Sequence, residues 1–272
     1  MEQRTEELKQ KNAELEKLYK QLQGSFVNTI KVFTGLVELW NPAIGNHGRR
    51  VASLCRKLAS QMRMDEGELN NIELAGLLHD IGKIGLPDEV LSKDSGSLSA
   101  GERRLLHQHP IIGQAALQVV DDLETFGVLV RHHHELWNGM GYPDRLRGEG
   151  IPIGSRIIAM ADAFDNLRKQ GSVKPADFIR YQLSLGANAA FDPNVILALK
   201  DIVEEWTAGA HPVEVVVHVR ELREGMVLAE DICTSTGILL IPKGETLKKS
   251  YLERLVLYER QKLIRSTVHV YK

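Results

Sequence analysis

The chain has 272 residues, 43% hydrophobic and 26% charged, with a formal net charge of −2. Such averages exclude a disordered chain, a collagen-like repeat and a continuous coiled coil, and the near-neutral balance offers no general attraction for DNA or an anionic membrane. Cys55 and Cys233 stand far apart with no CxxC pair, which excludes a disulfide scaffold and a thiolate zinc site and makes a reducing, cytoplasmic setting the default.

The opening MEQRTEELKQ is too charged for a secretory signal, and no uncharged apolar run approaches the ~18 residues of a membrane span. Residues 1–25 are expected to be a helical linker. Leu8, Leu15 and Leu22 recur every seven residues with Leu18 at the intervening position, while Arg4 and Lys11 interrupt that seam. A weak two-stranded coiled coil, and so a homodimer through this helix, stands beside a simple solvated linker.

Residues 26–207 read as helical almost throughout. Val51–Met64, Glu66–His79 and Ile111–Leu123 carry apolar residues at three- and four-residue spacing, punctuated by Asn41-Pro42, Gly82 to Pro87, Gly139–Pro152 and Asp192-Pro193. No alternating run before residue 213 is long enough for a strand. Beyond His211-Pro212 the pattern changes to VEVVVHV, GMVLAEDI and GILLIPKG, then returns to a helical period in LKKSYLERLVLYERQK. A small β-plus-helix module over 213–272 is expected. The expected class is therefore mainly α, with a helical linker ahead and a β-rich module behind.

The chemistry concentrates in LLHDIGKIGLP. His79 and Asp80 arrive at the C-terminal end of an apolar helix. Adjacent helical residues diverge by about 100°, so an aspartate there can bridge two ions while the histidine ligates one. Lys83 follows by one turn and shares their face if the helix continues, well placed to stabilise a phosphoryl oxyanion. His47 opens the preceding helix. His109 precedes Pro110, which should push it out of helical geometry toward a loop. His132, His133 and His134 form a run before Glu135. Asp162 lies in the apolar IIAMADAF, where a buried carboxylate needs a metal or a hydrogen-bonding partner. Each residue alone has a bland reading: a helix-terminal polar group, a solvated run, a salt-bridged acid. Together, imidazoles and carboxylates without thiolates suit a divalent Fe, Mn, Ni or Zn centre.

These motifs resemble the HD-GYP family of bacterial metal-dependent phosphohydrolases. The resemblance rests on HDIGKIGLPDEVL at 79–91, HPIIG at 109–113, HHELWNGMGYP at 133–143, RIIAMADAFDNL at 156–167 and GANAAFDP at 186–193. It implies a helical bundle around a buried metal centre. It also implies hydrolysis of the 3′,5′-phosphodiester of cyclic di-GMP, to linear pGpG or GMP, through a hydroxide bridging two divalent metals, Fe or Mn ahead of Ni or Zn. Carried over by position, it makes His47, His79, Asp80, His109, His133, His134 and Asp162 the ligands, with Asp80 bridging. Lys83 and Tyr142 would meet the substrate, Glu135 would orient an imidazole, and Asn138 and Asp165 would support the loop and the ligands. Gly139 and Gly141 give the loop the freedom that a lid or a tight turn needs. Trp137 reads as core packing more than as a guanine platform.

The chain departs from the pattern in places. Ala43 stands where some members carry a glutamate for a third metal, so two ions are expected. Asn138 replaces a family aspartate. Where members continue ALTSDRPYR, this chain has NLRKQGSVKP, with Gly171 at one arginine position and Lys174 at the other basic one. Arg168 and Lys174 are the cations left there to meet the substrate, with Lys169 beside them. An enzyme leads the readings, and a catalytically weak or inactive domain sensing a cyclic dinucleotide or binding a partner is the alternative. Hydrolysis of nucleotide monophosphates is disfavoured by the GYP loop. Family members often follow a receiver or sensor domain, which residues 1–23 would join.

Overall fold

The computed structural model describes residues 11, 14, 29, 30, 34, 42–93, 95–119, 123–170, 173–208 and 214–271. The expected linker over 1–25 lies outside them, apart from Lys11 and Glu14, which are helical. The first long elements are α1 (Pro42–Gln61) and α2 (Glu66–Leu78), joined by a short turn. Asp65 caps α2 in a capping box with Glu68, its side chain taking the Glu68 N–H while Glu68 returns to the Asp65 N–H. Next come α3 (Asp88–Leu91), α4 (Ala100–Leu106), α5 (His109–Leu117), α6 (Glu124–Arg131), α7 (Ile153–Gln170), α8 (Pro175–Ser184) and α9 (Pro193–Ala208). No strand occurs before Glu214 among the described residues.

One apolar core joins α1, α2, α6, α7 and α9. Val51, Cys55 and Leu58 meet Ala75 and Leu78, while Ile157, Met160, Ala161 and Phe164 place α7 at the centre against Ile196 and Leu199. The apolar face of α7 carries Asp165 into the interior and leaves Asp162 largely enclosed at its edge.

Three helix boundaries differ from the sequence expectation. Helix α1 begins at Pro42, so His47 sits in its second turn and does not open it. His109 is the first residue of α5, with Pro110 in that first turn; a missing N–H there leaves no helical bond unmade, so proline does not displace the histidine. Within the expected period Ile111–Leu123, α5 ends at Leu117 with Gln118 as its cap.

The chain then forms β1 (Glu214–His218), β2 (Val227–Leu228), β3 (Ile232–Cys233), β4 (Leu239–Ile241), α10 (Lys249–Arg260) and β5 (Thr267–Tyr271). Sheet order is β1-β5-β2, with Glu214 opposite Tyr271, and β3 pairs antiparallel with β4. Leu228, Leu247, Leu255 and Val270 make a second, separate core. This module docks on a polar stripe of α1 at i, i+4, i+7 and i+11. Asn46 donates to the Gly237 carbonyl at 2.7 Å and accepts the Leu239 N–H at 2.6 Å. Ser53 donates to Glu245 at 3.0 Å, and Lys57 to the Gly244 carbonyl at 2.7 Å. Arg50 approaches Asp231 at 3.7 Å.

A 3₁₀ turn, Ile81–Gly85, leads out of α2 and lies directly against the start of α5. A Cβ on Gly82 would stand 2.0 Å from the His109 carbonyl oxygen and 2.6 Å from the Gly113 nitrogen, both backbone atoms that cannot swing away. Gly82→Ala is therefore expected to destabilise the fold by about 3 kcal/mol, the upper end of ordinary overpacking. Chemical denaturation of the two proteins measures it; an unchanged midpoint would show that the turn does not sit this close.

Candidate metal centre

Three imidazoles are fixed by the same local device. His79 Nδ1 is 2.8 Å from the Gly76 carbonyl, His109 Nδ1 is 2.6 Å from that of Leu106, and His133 Nδ1 is 2.5 Å from that of Val130. Each carbonyl lies three residues back, in the last turn of α2, α4 or α6, where helical carbonyls lack an intrahelical donor. Each histidine thus satisfies a helix end, and the bond assigns its proton to Nδ1. Every Nε2 is left with a bare lone pair.

Those lone pairs converge. His109 Nε2 and His133 Nε2 are 3.2 Å apart, and His79 Nε2 has no hydrogen-bond partner. Asp80 extends Oδ2 to the Lys83 ammonium at 2.6 Å, while its Oδ1 is buried without a partner, 3.4 Å from His109 Nε2. His47 Nε2 lies 2.9 Å from Asp162 Oδ1, and His134 Nδ1 lies 4.0 Å from Asp162 Oδ2. All seven residues named from the sequence are brought together. Donor atoms of His47, His79 and Asp80 lie within 4.8 Å of one another, as do those of His109, His133 and His134.

The protonation states follow from burial and charge. Burial depresses His109 to about 4 and His134 to about 3, and holds His133 well below the usual range, so these imidazoles are neutral and could serve as ligands. Burial also opposes charge on Asp80, but the neighbouring His79 and Lys83 overcome it and keep the carboxylate ionised. His47 differs. Burial lowers it, yet its bonds to Asp162 and Asp165 carry it up to about 8, so it holds two protons, one shared with Asp162. That shared proton is the one a cation would displace.

The surrounding residues hold this set in place. Asp165 accepts from His47 Nδ1 at 2.7 Å and from Arg50 Nε at 2.6 Å; despite burial these partners bring it down to about 2. Arg50, three residues from His47, was not evident in the sequence, although the matching i, i+3 spacings of His47/Arg50 and Asp162/Asp165 are its signal. Glu135 does not orient an imidazole. Its carboxylate takes the backbone N–H groups of Asp144 at 2.6 Å and Leu146 at 3.0 Å and so fastens the loop after the histidines.

Asn138 also serves that loop, accepting from the Met140 N–H at 3.0 Å and donating to the Asn188 carbonyl at 3.3 Å. Gly141 permits a close approach: a Cβ there would stand 2.3 Å from the Leu136 nitrogen. The loop is a fastened turn, with Tyr142 stacked on His134 at 4.8 Å. His132 points elsewhere, its Nε2 on Asp144 at 2.9 Å. Trp137 packs under the Arg156 guanidinium, 5.3 Å from its ring centre. Arg168 lines a cleft with Arg50, Asp165, Pro242 and Lys243, and Lys174 is exposed at the start of α8.

The donor set fits divalent cations. Two opposed imidazole lone pairs and an orphaned carboxylate oxygen, all buried, repel one another unless positive charge lies among them. Nitrogen and oxygen donors without thiolates suit a divalent cation rather than a soft thiophilic ion.

A sequence model of the HD domain family matches residues 31–195, and the chain belongs to that family. HD-domain phosphohydrolases are metal-dependent. The 3′3′-cGAMP-specific phosphodiesterase 2 of Vibrio cholerae serotype O1 is 35% identical over 177 residues, covering 63% of this chain and 34% of that protein. The cyclic di-GMP phosphodiesterase response regulator RpfG of Xanthomonas campestris pv. campestris is 37% identical over 155 residues, 55% of this chain and 41% of its own. Bd1817, an HDG"Y"P protein from Bdellovibrio bacteriovorus, superimposes with a TM-score of 0.51 at 26% identity, over 59% of this chain and 52% of its own. The chain spans less than half the length of these two curated relatives. No helix among the described residues is long and apolar enough to cross a membrane.

Asp165 fixes the one ligand imidazole whose proton sits between carboxylates. Asp165→Asn is expected to weaken metal affinity about 10–100-fold, the usual cost of removing such a support. A metal titration of both proteins at equal ionic strength decides it, and equal affinities would show that Asp165 serves only the Arg50 contact.

Proposed function

We propose that this protein is a metal-dependent phosphodiesterase that hydrolyses the 3′,5′-linkage of cyclic di-GMP to pGpG or GMP. The observation that carries the reading is the pair of unprotonated imidazole nitrogens 3.2 Å apart beside an unpartnered Asp80 oxygen. His47, His79, Asp80, His109, His133, His134 and Asp162 would hold two divalent ions, Fe or Mn by preference. Bound there, such ions supply Lewis acidity toward phosphate oxygens and a water acidic enough to ionise near neutral pH.

The chain's own groups do the rest. Lys83 is partly buried, which opposes its charge, but Asp80 beside it raises its pKa, so it stays a cation. An ammonium has no lone pair and makes a poor ligand. Its role is to neutralise a non-bridging phosphate oxygen as charge develops there. Tyr142 keeps its proton, because burial and the charges of Asp80 and Asp162 push its pKa up, and its phenol is a neutral donor toward the substrate. No serine or cysteine nucleophile is needed.

The alternative is a domain that binds the cyclic dinucleotide without cutting it, favoured by the placement of Arg168 in the cleft beside Lys243. Members named for cyclic di-GMP and for 3′3′-cGAMP both occur among the relatives, so the base at one position is part of the proposal. A cytoplasmic setting, a homodimer through the N-terminal helix and an upstream sensory or receiver domain complete it.

Lys83→Ala should retain metal and lose about 10²–10³ in single-turnover hydrolysis of cyclic di-GMP, as for a preorganised oxyanion donor. His79→Ala should lose metal and activity together. Metal content and product chromatography on the same anaerobic preparations separate the two. Turnover by Lys83→Ala at the parent rate overturns the lysine's role, and a metal-loaded parent that binds cyclic di-GMP without cleaving it replaces the enzyme by the sensor.

A further inference from the structure

A cyclic dinucleotide carries two phosphodiesters, and only one can lie among the metal ligands at a time. The other is an anion left at the rim of the site. Arg168 lies in the cleft against Pro242 and Lys243, and Lys174 is exposed at the start of α8; a further set of cations stands on another element beside the site.

Helix α4 presents one. Arg103 and Arg104 are exposed at four and three residues before the exposed His107, which caps the helix, so each arginine can neighbour that ring, and all three line an open depression with Ala100. The single acid of the helix, Glu102, is already engaged: it accepts from Lys93 at 2.5 Å and from the Ser99 N–H at 2.8 Å. Neither arginine is paired with a carboxylate among the described residues.

Arginines on an exposed helix are commonly no more than solvated charge. Here they are tied to the reaction centre. The His107 ring stacks on Tyr142 at 3.9 Å with only 8° between the planes, and Tyr142 stacks in turn on His134. Two ring contacts therefore separate the basic face of α4 from a metal-ligating imidazole. Leu106, the last residue of the same helix, supplies the carbonyl that fixes His109. The helix that aims one ligand also carries the cations.

We propose that Arg103, Arg104 and His107 form a second phosphate subsite, which binds the diester that is not being cut. Arginine suits the task because its planar donor fork matches two phosphate oxygens. The assignment rests on the cyclic dinucleotide reading given above and adds the residues that select such a ligand over a simple diester.

The test compares the metal-loaded parent with the double variant Arg103→Ala/Arg104→Ala on two substrates, cyclic di-GMP and bis(p-nitrophenyl) phosphate, which has a single diester. The ratio of kcat/KM for cyclic di-GMP to that for the simple diester should fall about tenfold, chiefly through KM, as expected for losing charge-assisted contacts at a solvated rim. Arg103→Lys/Arg104→Lys, which keeps the charge but not the planar fork, should recover only part of it. If the parent binds without cutting, the same tenfold loss is read in the equilibrium affinity for cyclic di-GMP. An unchanged ratio overturns the subsite and leaves the phosphodiesterase reading intact, as does an equal decline on both substrates. A parent that cleaves bis(p-nitrophenyl) phosphate but neither binds nor cleaves cyclic di-GMP overturns that reading and the subsite with it.

Discussion

The centre of this protein is organised by electrostatic frustration that only a cation relieves. Burying an imidazole in an apolar helical core is tolerable when both ring nitrogens are satisfied. At His79, His109 and His133 only Nδ1 is, through a helix-end carbonyl, and the Nε2 lone pairs face one another or an equally unsatisfied Asp80 oxygen. Neutralising them by protonation is opposed by the same burial that holds His109 at about 4. Divalent ions among them would accept these lone pairs.

The rest of the fold serves that convergence. Helices α2, α4 and α6 end where they do so that three C-terminal carbonyls aim three imidazoles inward. Gly82 lets the turn bearing Lys83 rest on the backbone of α5. From the other side, α1 delivers His47, held through Asp165 by Arg50, and Arg50 also faces Asp231 of the C-terminal module. Asn46, the neighbour of His47, is bonded to the same module at both ends of its amide. The β-rich module is thus packed against the helix that carries His47 and extends the support of that imidazole beyond the helical bundle.

Much of this was legible in the sequence. The apolar periods of residues 51–64 and 66–79, the change of pattern near 213 and the His/Asp spacing follow from rules local in the chain. The apolar surroundings of Asp162 in IIAMADAF already implied a buried carboxylate, and its side chain is largely, though not fully, enclosed. The errors came where a local rule has two outcomes. Proline restricts the residue before it, yet it also starts helices well, and only the packing of α5 shows that His109 stays helical. Glu135 adjoins the histidines in sequence, but its carboxylate turns to loop N–H groups supplied nine and eleven residues later. Arg50 and the basic face of α4 were missed because an arginine among many gives no signal until its neighbours in space are known.

The claim that these buried lone pairs await cations is tested most directly by the stability of chelator-stripped protein as Mn²⁺ or Fe²⁺ is added without oxygen. An ion that binds the folded chain and not the unfolded one stabilises it by about 2.7 kcal/mol at a hundred times its dissociation constant. The melting temperature should rise with concentration and saturate at two ions per chain. A melting temperature indifferent to divalent metal, with no ion retained, would contradict the account.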